Sequence, residues 1–192
     1  CLRQTRQLDE AMKHNHEALA ICRQIGDKRG ESVALHGIGV CHYAKREHDE
    51  AIRWYSESLV IKRAIGDRGG EGTTLGNMGN CYHQLQQYDR AAECYNQRLA
   101  IAREIGDKMG EGYALNNWAV SLADQDKHDD AVPLFREAIA IRRALASAGS
   151  TSVDRVSMTE ILQKSSRLLV RSLLARHASG SVPVDELVAA VD

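Results

Sequence analysis

Ile25-Gly26-Asp27-Lys28-Arg29-Gly30-Glu31 returns as Ile65-Gly66-Asp67-Arg68-Gly69-Gly70-Glu71, and again as Ile105-Gly106-Asp107-Lys108-Met109-Gly110-Glu111. Each return lies 40 residues after the last. Other columns keep the same step. Asp9, Asp49, Asp89 and Asp129 align, as do Ala11, Ala51, Ala91 and Ala131. Leu19, Leu59, Leu99 and Ile139 follow, then Ile21, Ile61, Ile101 and Ile141. Self-similarity at a fixed period of this length marks a stack of repeated units.

Each period reads as two helices. The first covers about 31–45, 71–85 and 111–125, where Leu35, Ile38 and Gly39 fall at i, i+3 and i+4. Leu75, Met78, Gly79 and Leu115, Trp118, Ala119 repeat that spacing, which is one face of a helix. A polar turn follows (Lys45-Arg46-Glu47, Gln86-Gln87, Asp126-Lys127). The second helix is predicted to start near the aligned Asp, a good N-cap residue. It ends at Gly26, Gly66 or Gly106, where a left-handed C-cap calls for glycine. The Asp after each glycine can cap the next helix. Small residues at Ala51 and Ala91, and at Gly39 and Gly79, let two antiparallel helices approach closely. One hairpin cannot bury its own apolar face, but stacked hairpins can, so the expected fold is all-α, an α-solenoid.

These residues resemble the tetratricopeptide repeat, which has a large residue, Leu-Gly, an aromatic, and later an Ala and an aromatic. The chain supplies Leu35, Ile38-Gly39, His42, Ala51 and Tyr55, then Leu75, Met78-Gly79, Tyr82, Ala91 and Tyr95, then Leu115, Trp118-Ala119, Leu122, Ala131 and Phe135. His42 and Leu122 stand where an aromatic is usual, and Ala119 where Gly is usual. The 40-residue unit is longer than the family's common one. It is similar to the longer repeats of a G-protein-signalling modulator that orients mitotic spindles, of kinesin light chains and of bacterial NTPase-coupled regulators. The resemblance implies a right-handed superhelix over residues 1–147: a partial first repeat at 1–30, then repeats at about 31–70, 71–110 and 111–147. Cys1 falls in the column of Cys41 and Cys81, so the chain reads as beginning inside a repeat. After Ala146 the period breaks at a turn, Ser147-Ala148-Gly149-Ser150, and 148–192 reads as a capping helix with a short tail helix. Val153, Val156, Ile161, Leu162, Leu168, Leu169, Leu173 and Leu174 would be its apolar stripe. Arg155, Lys164, Arg167, Arg171 and Arg176 give it a basic outer face.

The 192-residue chain carries 25 Lys and Arg against 26 Asp and Glu, a net charge of −1. That balance argues against a nucleic-acid partner. The sequence has no apolar run of about 18 residues and no apolar leader after the charged start, so neither a membrane partner nor secretion is expected. Five cysteines, an odd number with no CxxC pair, read as free thiols of a reducing, cytoplasmic compartment.

Charge separates the two helices of each period. Residues 32–44, 72–88 and 112–123 contain no Asp, Glu, Lys or Arg, whereas the second helices are rich in them. Burial penalises charge, so the first helices form the inner layer and the second helices the wet outer one. In the resembled family the first helices line a concave peptide-binding groove. By position, that implies a groove of Val33, His36, Gly37, Val40 and Tyr43, then Thr73, Gly76, Asn77, Asn80 and His83, then Tyr113, Asn116, Asn117, Val120 and Asp124. An Asn amide both donates and accepts, so Asn77 and Asn117 can pair with a peptide backbone. The family's clamp for acidic tails needs cations on these helices. Lys45 and Lys127 stand only at their ends, so an uncharged or helical segment suits the groove better.

No catalytic set is legible. None of the eight histidines forms an HxxxH or HExxH pair, and His14 and His16 point to different helix faces. His48 and His128 share a column with Tyr88 at the turn, and Trp54 and Trp118 read as packing residues. Glycines 66, 69, 70 and 72 make no phosphate loop. No enzyme activity, cofactor or metal is expected. The expectation is a non-catalytic module binding a peptide or partner protein. The alternative is a regulatory sensor region of a larger signalling NTPase, binding intramolecularly. An inert spacer is a third reading, and open repeat ends invite self-association.

Overall fold

A computed structural model describes residues 2–147, 167–175 and 178, with side chains from residue 7 onward. Every element among them is α-helical: α1 (Leu2–Ile25), α2 (Lys28–Ala44), α3 (His48–Ala64), α4 (Arg68–Gln84), α5 (Tyr88–Ile105), α6 (Lys108–Ala123) and α7 (His128–Ser147), followed by a helical stretch at 167–175. None of these helices is long and apolar enough to cross a membrane. The chain divides into two compact units, Cys1–Ile101 and Ala102–Asp192.

The repeated linker does most of the shaping. Gly26, Gly66 and Gly106 have φ of 77°, 71° and 71°, the left-handed C-cap that glycine adopts without penalty. The next residue caps the following helix: Asp27, Asp67 and Asp107 accept from the backbone N–H of Gly30, Gly70 and Gly110 at 2.8–2.9 Å. A Cβ on those last glycines would sit 2.2–2.4 Å from the capping carboxylate, so a larger residue there requires the carboxylate to shift. Because the Asp is the cap, α2, α4 and α6 begin about three residues earlier than periodicity suggests.

The second turn corrects another expectation. Asp49 does not cap α3. It lies inside the first turn, and the N-cap is Glu47, which makes no side-chain cap bond. The chain turns instead through Arg46, Gln86 and Asp126, at φ of 62°, 58° and 59°. Glu47 N–H donates to His42 O at 3.0 Å, and Gln87 and Lys127 repeat that bond to Tyr82 and Leu122. This is a Schellman closure with a non-glycine residue at the left-handed position.

In the first unit α1 packs on α2, α2 on α3 and α3 on α4. Leu19, Ala34, Leu35 and Ile38 form a buried cluster with Trp54 and Ile61 against it. The helix crossings fall at the small residues. Ala51 and Ala91 are fully buried, and a Cβ on Gly39 or Gly79 would lie 2.6–2.7 Å from the ring of Tyr55 or Tyr95. In the second unit Ala119, Ala131, Val132, Phe135 and Ile139 pack together with Leu169 and Leu173 of the 167–175 stretch. Leu174 of the expected stripe is instead 53% exposed, and Leu168 is half-buried. Val153, Val156, Ile161, Leu162, Arg155, Lys164 and Arg176 lie outside the described side chains. Cys41, Cys81 and Cys94 are buried thiols and Cys22 is half-buried.

Each linker glutamate is nearly buried and holds two cations. Glu31 bonds Arg23 at 3.0 Å and Lys28 at 2.8 Å; Glu111 bonds Arg103 at 2.9 Å and Lys108 at 2.8 Å. Glu71 bonds Arg63 and Arg68 in the same way. The Lys28 and Arg23 bonds hold Glu31 below its ordinary pKa, and Arg103 and Lys108 do so for Glu111. Burial pushes Glu71 up, but the Arg63 and Arg68 bonds outweigh it and the net shift is down.

Two outcomes are expected. Gly39→Ala forces the new methyl against Tyr55 and lowers stability by about 1–3 kcal/mol in urea unfolding; an unchanged midpoint would contradict the crossing. A lowered folded-state pKa stabilises above the unfolded value and is lost as pH falls through the folded one. Glu71→Gln therefore costs about 1–3 kcal/mol at pH 7, and its deficit against the native chain shrinks as pH falls below about 4.5. A deficit that stays constant down to pH 3 would contradict this.

Candidate functional site

The first unit holds a cleft of about 100 Å³ lined by Val40, Tyr43, Tyr55, Asn77 and Asn80. Val40 is 43% exposed at its rim, and Tyr55 is 1% exposed. Tyr55 reaches the cleft from α3 because Gly39 leaves room for its ring. The Tyr95 hydroxyl donates to Asn80 Oδ1 at 3.0 Å. Asn77 is hydrogen-bonded through Nδ2 to His36 Nε2 at 3.2 Å.

A polar chain lies behind Asn77, and its proton directions follow from donors and acceptors. Thr74 Oγ1 donates to Gly70 O at 2.8 Å, which uses its only proton. It accepts from Lys62 Nζ at 2.9 Å. His36 Nδ1, 3.1 Å away, must therefore donate to Thr74 as well. That fixes the neutral tautomer with Nδ1 protonated and leaves Nε2 to accept from Asn77. Electrostatics agree. Burial, then the Lys62 charge, hold His36 down at about pKa 4. Burial also lowers Lys62, which is 5% exposed and bonded only to neutral oxygens. Burial raises the Tyr55 hydroxyl above its ordinary 10 and pushes Cys81 and Cys94 up to about 12 and 11, so neither thiol is a ready nucleophile.

Of the residues expected from sequence in this unit, Val40, Tyr43, Asn77 and Asn80 come together, with His36 behind them. Val33 and Thr73 are exposed outside the cleft, the Thr73 hydroxyl bonding Gly69 O at 3.0 Å. His83 packs on Tyr88, ring centroids 5.9 Å apart. Gly37 and Gly76 lie against neighbouring side chains, Asn15 and Arg98.

In the second unit Asn116 Nδ2 donates to Asn117 Oδ1 at 3.3 Å, and Arg142 Nη1 donates to Asn116 Oδ1 at 3.4 Å. The Arg142 guanidinium lies over the Tyr113 ring, 5.3 Å from its centroid. Asp124 and Val120 are not part of this group. They line a separate cleft of about 20 Å³ with His128, Leu168 and Arg171. Among the described residues no cluster of three or more His, Cys, Asp or Glu is placed to hold a metal ion.

Sequence reasoning missed Tyr55 as a cleft wall, and Lys62, Thr74 and Arg142 as inward polar groups. The charged second helices are not purely an outer layer: Lys62 and Arg142 are 5% and 2% exposed and send their charges to the first-helix layer. They occupy one column of the repeat, whose other members are Cys22 and Ala102, so the column carried no consistent signal.

The tetratricopeptide repeat model matches residues 1–64, 35–104 and 70–144. No match is found among curated protein sequences. Solved structures that share the fold include the following three. BtubC (BKLC) from P. vanneervenii is 19% identical with a TM-score of 0.71, over 95% of this chain and 78% of that one. Kinesin light chain nearly identical TPR-like repeats from Podosopora anserina are 17% identical with a TM-score of 0.69, over 98% and 87%. A signal transduction ATPase with numerous domains and a tetratricopeptide repeat sensor, from Pyrococcus horikoshii, is 21% identical with a TM-score of 0.62, over 87% of this chain and 28% of that one.

The His36 shift gives a testable pH limb. Its folded-state pKa, about 4, lies below the ordinary 6.5, so the unfolded chain binds more protons between those values. Stability is complete above pH 6.5 and falls as pH drops towards 4. The native urea midpoint should fall between pH 7 and pH 5, and that of His36→Gln should fall less; equal falls would contradict a buried neutral His36.

Proposed function

Because the chain belongs to the tetratricopeptide repeat family, we propose that it is a non-catalytic interaction module whose first helices bind a peptide or a partner protein. Repeats of this family are generally protein-interaction modules. The observation that carries the reading is the cleft of the first unit: an exposed, uncharged concavity on the first-helix face, walled by aromatic and aliphatic carbon and edged by the amides of Asn77 and Asn80. Small apolar hollows with a few placed polar groups are what peptide side chains dock into. Tyr113, Asn116 and Asn117 offer a second patch of amide and aromatic surface in the other unit, and Asp124 falls outside it. The module works in the cytoplasm, as its free thiols suit, without nucleic acid, membrane, cofactor or metal, and the ends of the repeat array offer a route to self-association. Residues 148–192 serve as the cap of the array, as the packing of Leu169 and Leu173 against Phe135 suggests.

A second reading is supported by likeness to the sensor repeats of the Pyrococcus horikoshii ATPase. There the same surface would hold a domain of its own parent protein and release it on signal.

The test is a pull-down with the native chain beside Asn77→Arg/Asn117→Arg, both confirmed folded by circular dichroism. A protein held by the native chain and lost at least tenfold from the variant supports first-helix binding. Equal retention by both would contradict it and move attention to the charged outer helices.

A further inference from the structure

The three linkers carry the same nearly buried glutamate but not the same partners, and the difference is chemical. We propose that Lys28 and Lys108 are N-acylation sites at which an acyl thioester loosens the first and third linkers, and that Arg68 keeps the second linker out of reach of that chemistry.

The geometry repeats. Glu31, Glu71 and Glu111 each accept on Oε1 from an arginine Nε of the preceding second helix, that of Arg23, Arg63 or Arg103. Each accepts on Oε2 from the first residue of the next helix, Lys28, Arg68 or Lys108. This second partner is a primary amine in two linkers and a guanidinium in one. The amines are reachable: the Lys28 and Lys108 side chains are 63% and 60% exposed, against 8% and 6% for the glutamates they hold. A lysine that gives up a proton is a nucleophile, whereas a guanidinium keeps its charge.

The step balances without an oxidant. One Nζ proton goes to water, and the nitrogen attacks the thioester carbonyl carbon. An N–C bond forms and the C–S bond breaks. The thiolate leaves with that electron pair and takes up the second proton the nitrogen sheds. The product is a neutral amide.

Charge balance decides where the loss is felt. In the first linker Arg23 also reaches Glu57, so Arg23 and Lys28 serve two acids. In the third, Arg103 also reaches Glu137, and Lys108 completes the same two against two. In the second, the corresponding partner of Arg63 is the neutral Gln97. Acylation of Lys28 or Lys108 leaves one half-exposed arginine between two glutamates, one of them nearly out of water. Two effects oppose the loss. Each lysine is the first residue of its helix, where the helix dipole disfavours a cation. Each amine is also largely in water, which weakens its pair. The net effect is therefore about fivefold in the unfolding constant, not the roughly hundredfold that breaking a fully buried pair gives. The first linker joins α1 to α2, which supplies Val40 and Tyr43 to the cleft, so the modification acts on the support of that surface.

The experiment incorporates Nε-acetyl-lysine into the full chain at position 28, 108 or 13 in turn, beside Lys28→Arg, with folding checked by circular dichroism. Lys13 is the control: it is 75% exposed and lies 3.8 Å from an exposed glutamate. Urea unfolding at pH 7 is expected to show the fivefold effect at 28 and 108, and none at 13 or in Lys28→Arg. The Lys28 bond, then the Arg23 bond, hold Glu31 below its ordinary 4.5, so the deficit at 28 is present above that value and closes as pH falls below it. The native chain is also incubated with acetyl-coenzyme A, and peptide mass spectrometry is expected to find acetyl groups on Lys28 and Lys108. Equal stability of the chains acetylated at 28, 108 and 13, a deficit unchanged down to pH 3, a Lys28→Arg chain as weak as the acetylated one, or Lys28 and Lys108 left unlabelled by the thioester would each overturn the proposal.

Discussion

A glutamate placed out of water between two cations, once per linker, is the constraint from which the rest of each unit follows. Glu31, Glu71 and Glu111 are 4–6% exposed. A carboxylate in that position is tolerable only when its partners are in place, and leaving it unpaired is costly. One partner comes from the end of the preceding second helix (Arg23, Arg63, Arg103) and the other from the start of the next first helix (Lys28, Arg68, Lys108). The triad therefore ties the outgoing helix to the incoming one. The same arginines reach 34 residues onward to Glu57, Gln97 and Glu137, the corresponding positions of the following second helices. With Gly in the left-handed C-cap and Asp as the N-cap, the linker has little freedom in how it turns.

That fixed turn is what leaves the first helices free of charge beyond their first turn. Because the linkers and second helices carry the ion pairs, α2 and α4 meet their neighbours through Ala, Gly, Leu and aromatic rings, and their open side can be apolar and amide-rich. The two buried cations of the second helices, Lys62 and Arg142, do not spoil this. Each is held by neutral oxygen or an aromatic face: Thr74 and Gly70 for Lys62, Asn116 and the Tyr113 ring for Arg142. Lys62 also gives the cleft its order. Burial, and then its charge, disfavour protonation of His36, the neutral His36 orients Asn77, and Asn77 lines the cleft wall with Tyr55.

The helices, their 40-residue step and the glycine C-caps were legible in sequence because each has a residue that little else can replace. Gly at φ above 70° and Asp before Gly-Glu are signals of that kind. The other turn was not legible, since Arg46, Gln86 and Asp126 share no chemistry and adopt the left-handed region only because the flanking helices impose it. The Asp49 column misled for the same reason: a good cap residue stood two positions past the true cap. At the site, the family resemblance assigned Val40, Tyr43, Asn77 and Asn80 to one groove, and the structure groups these four round one cleft. Position in the repeat could not separate Asp124, the C-cap of α6, from Asn116 and Asn117 within that helix, though they open on different surroundings. Nor could it reveal the Lys62 to Asn77 chain, which joins three helices and exists only after packing.

The account stands or falls on the buried linker glutamate as the tie between successive helices. A double-mutant cycle on Arg63 and Glu71, using Arg63→Met, Glu71→Gln and the pair, measures it with urea unfolding. The half-exposed arginine tempers the expected value, so a coupling on the order of 1 kcal/mol is predicted, above what exposed ion pairs give. A coupling indistinguishable from zero, with both single variants as stable as the native chain, would contradict it.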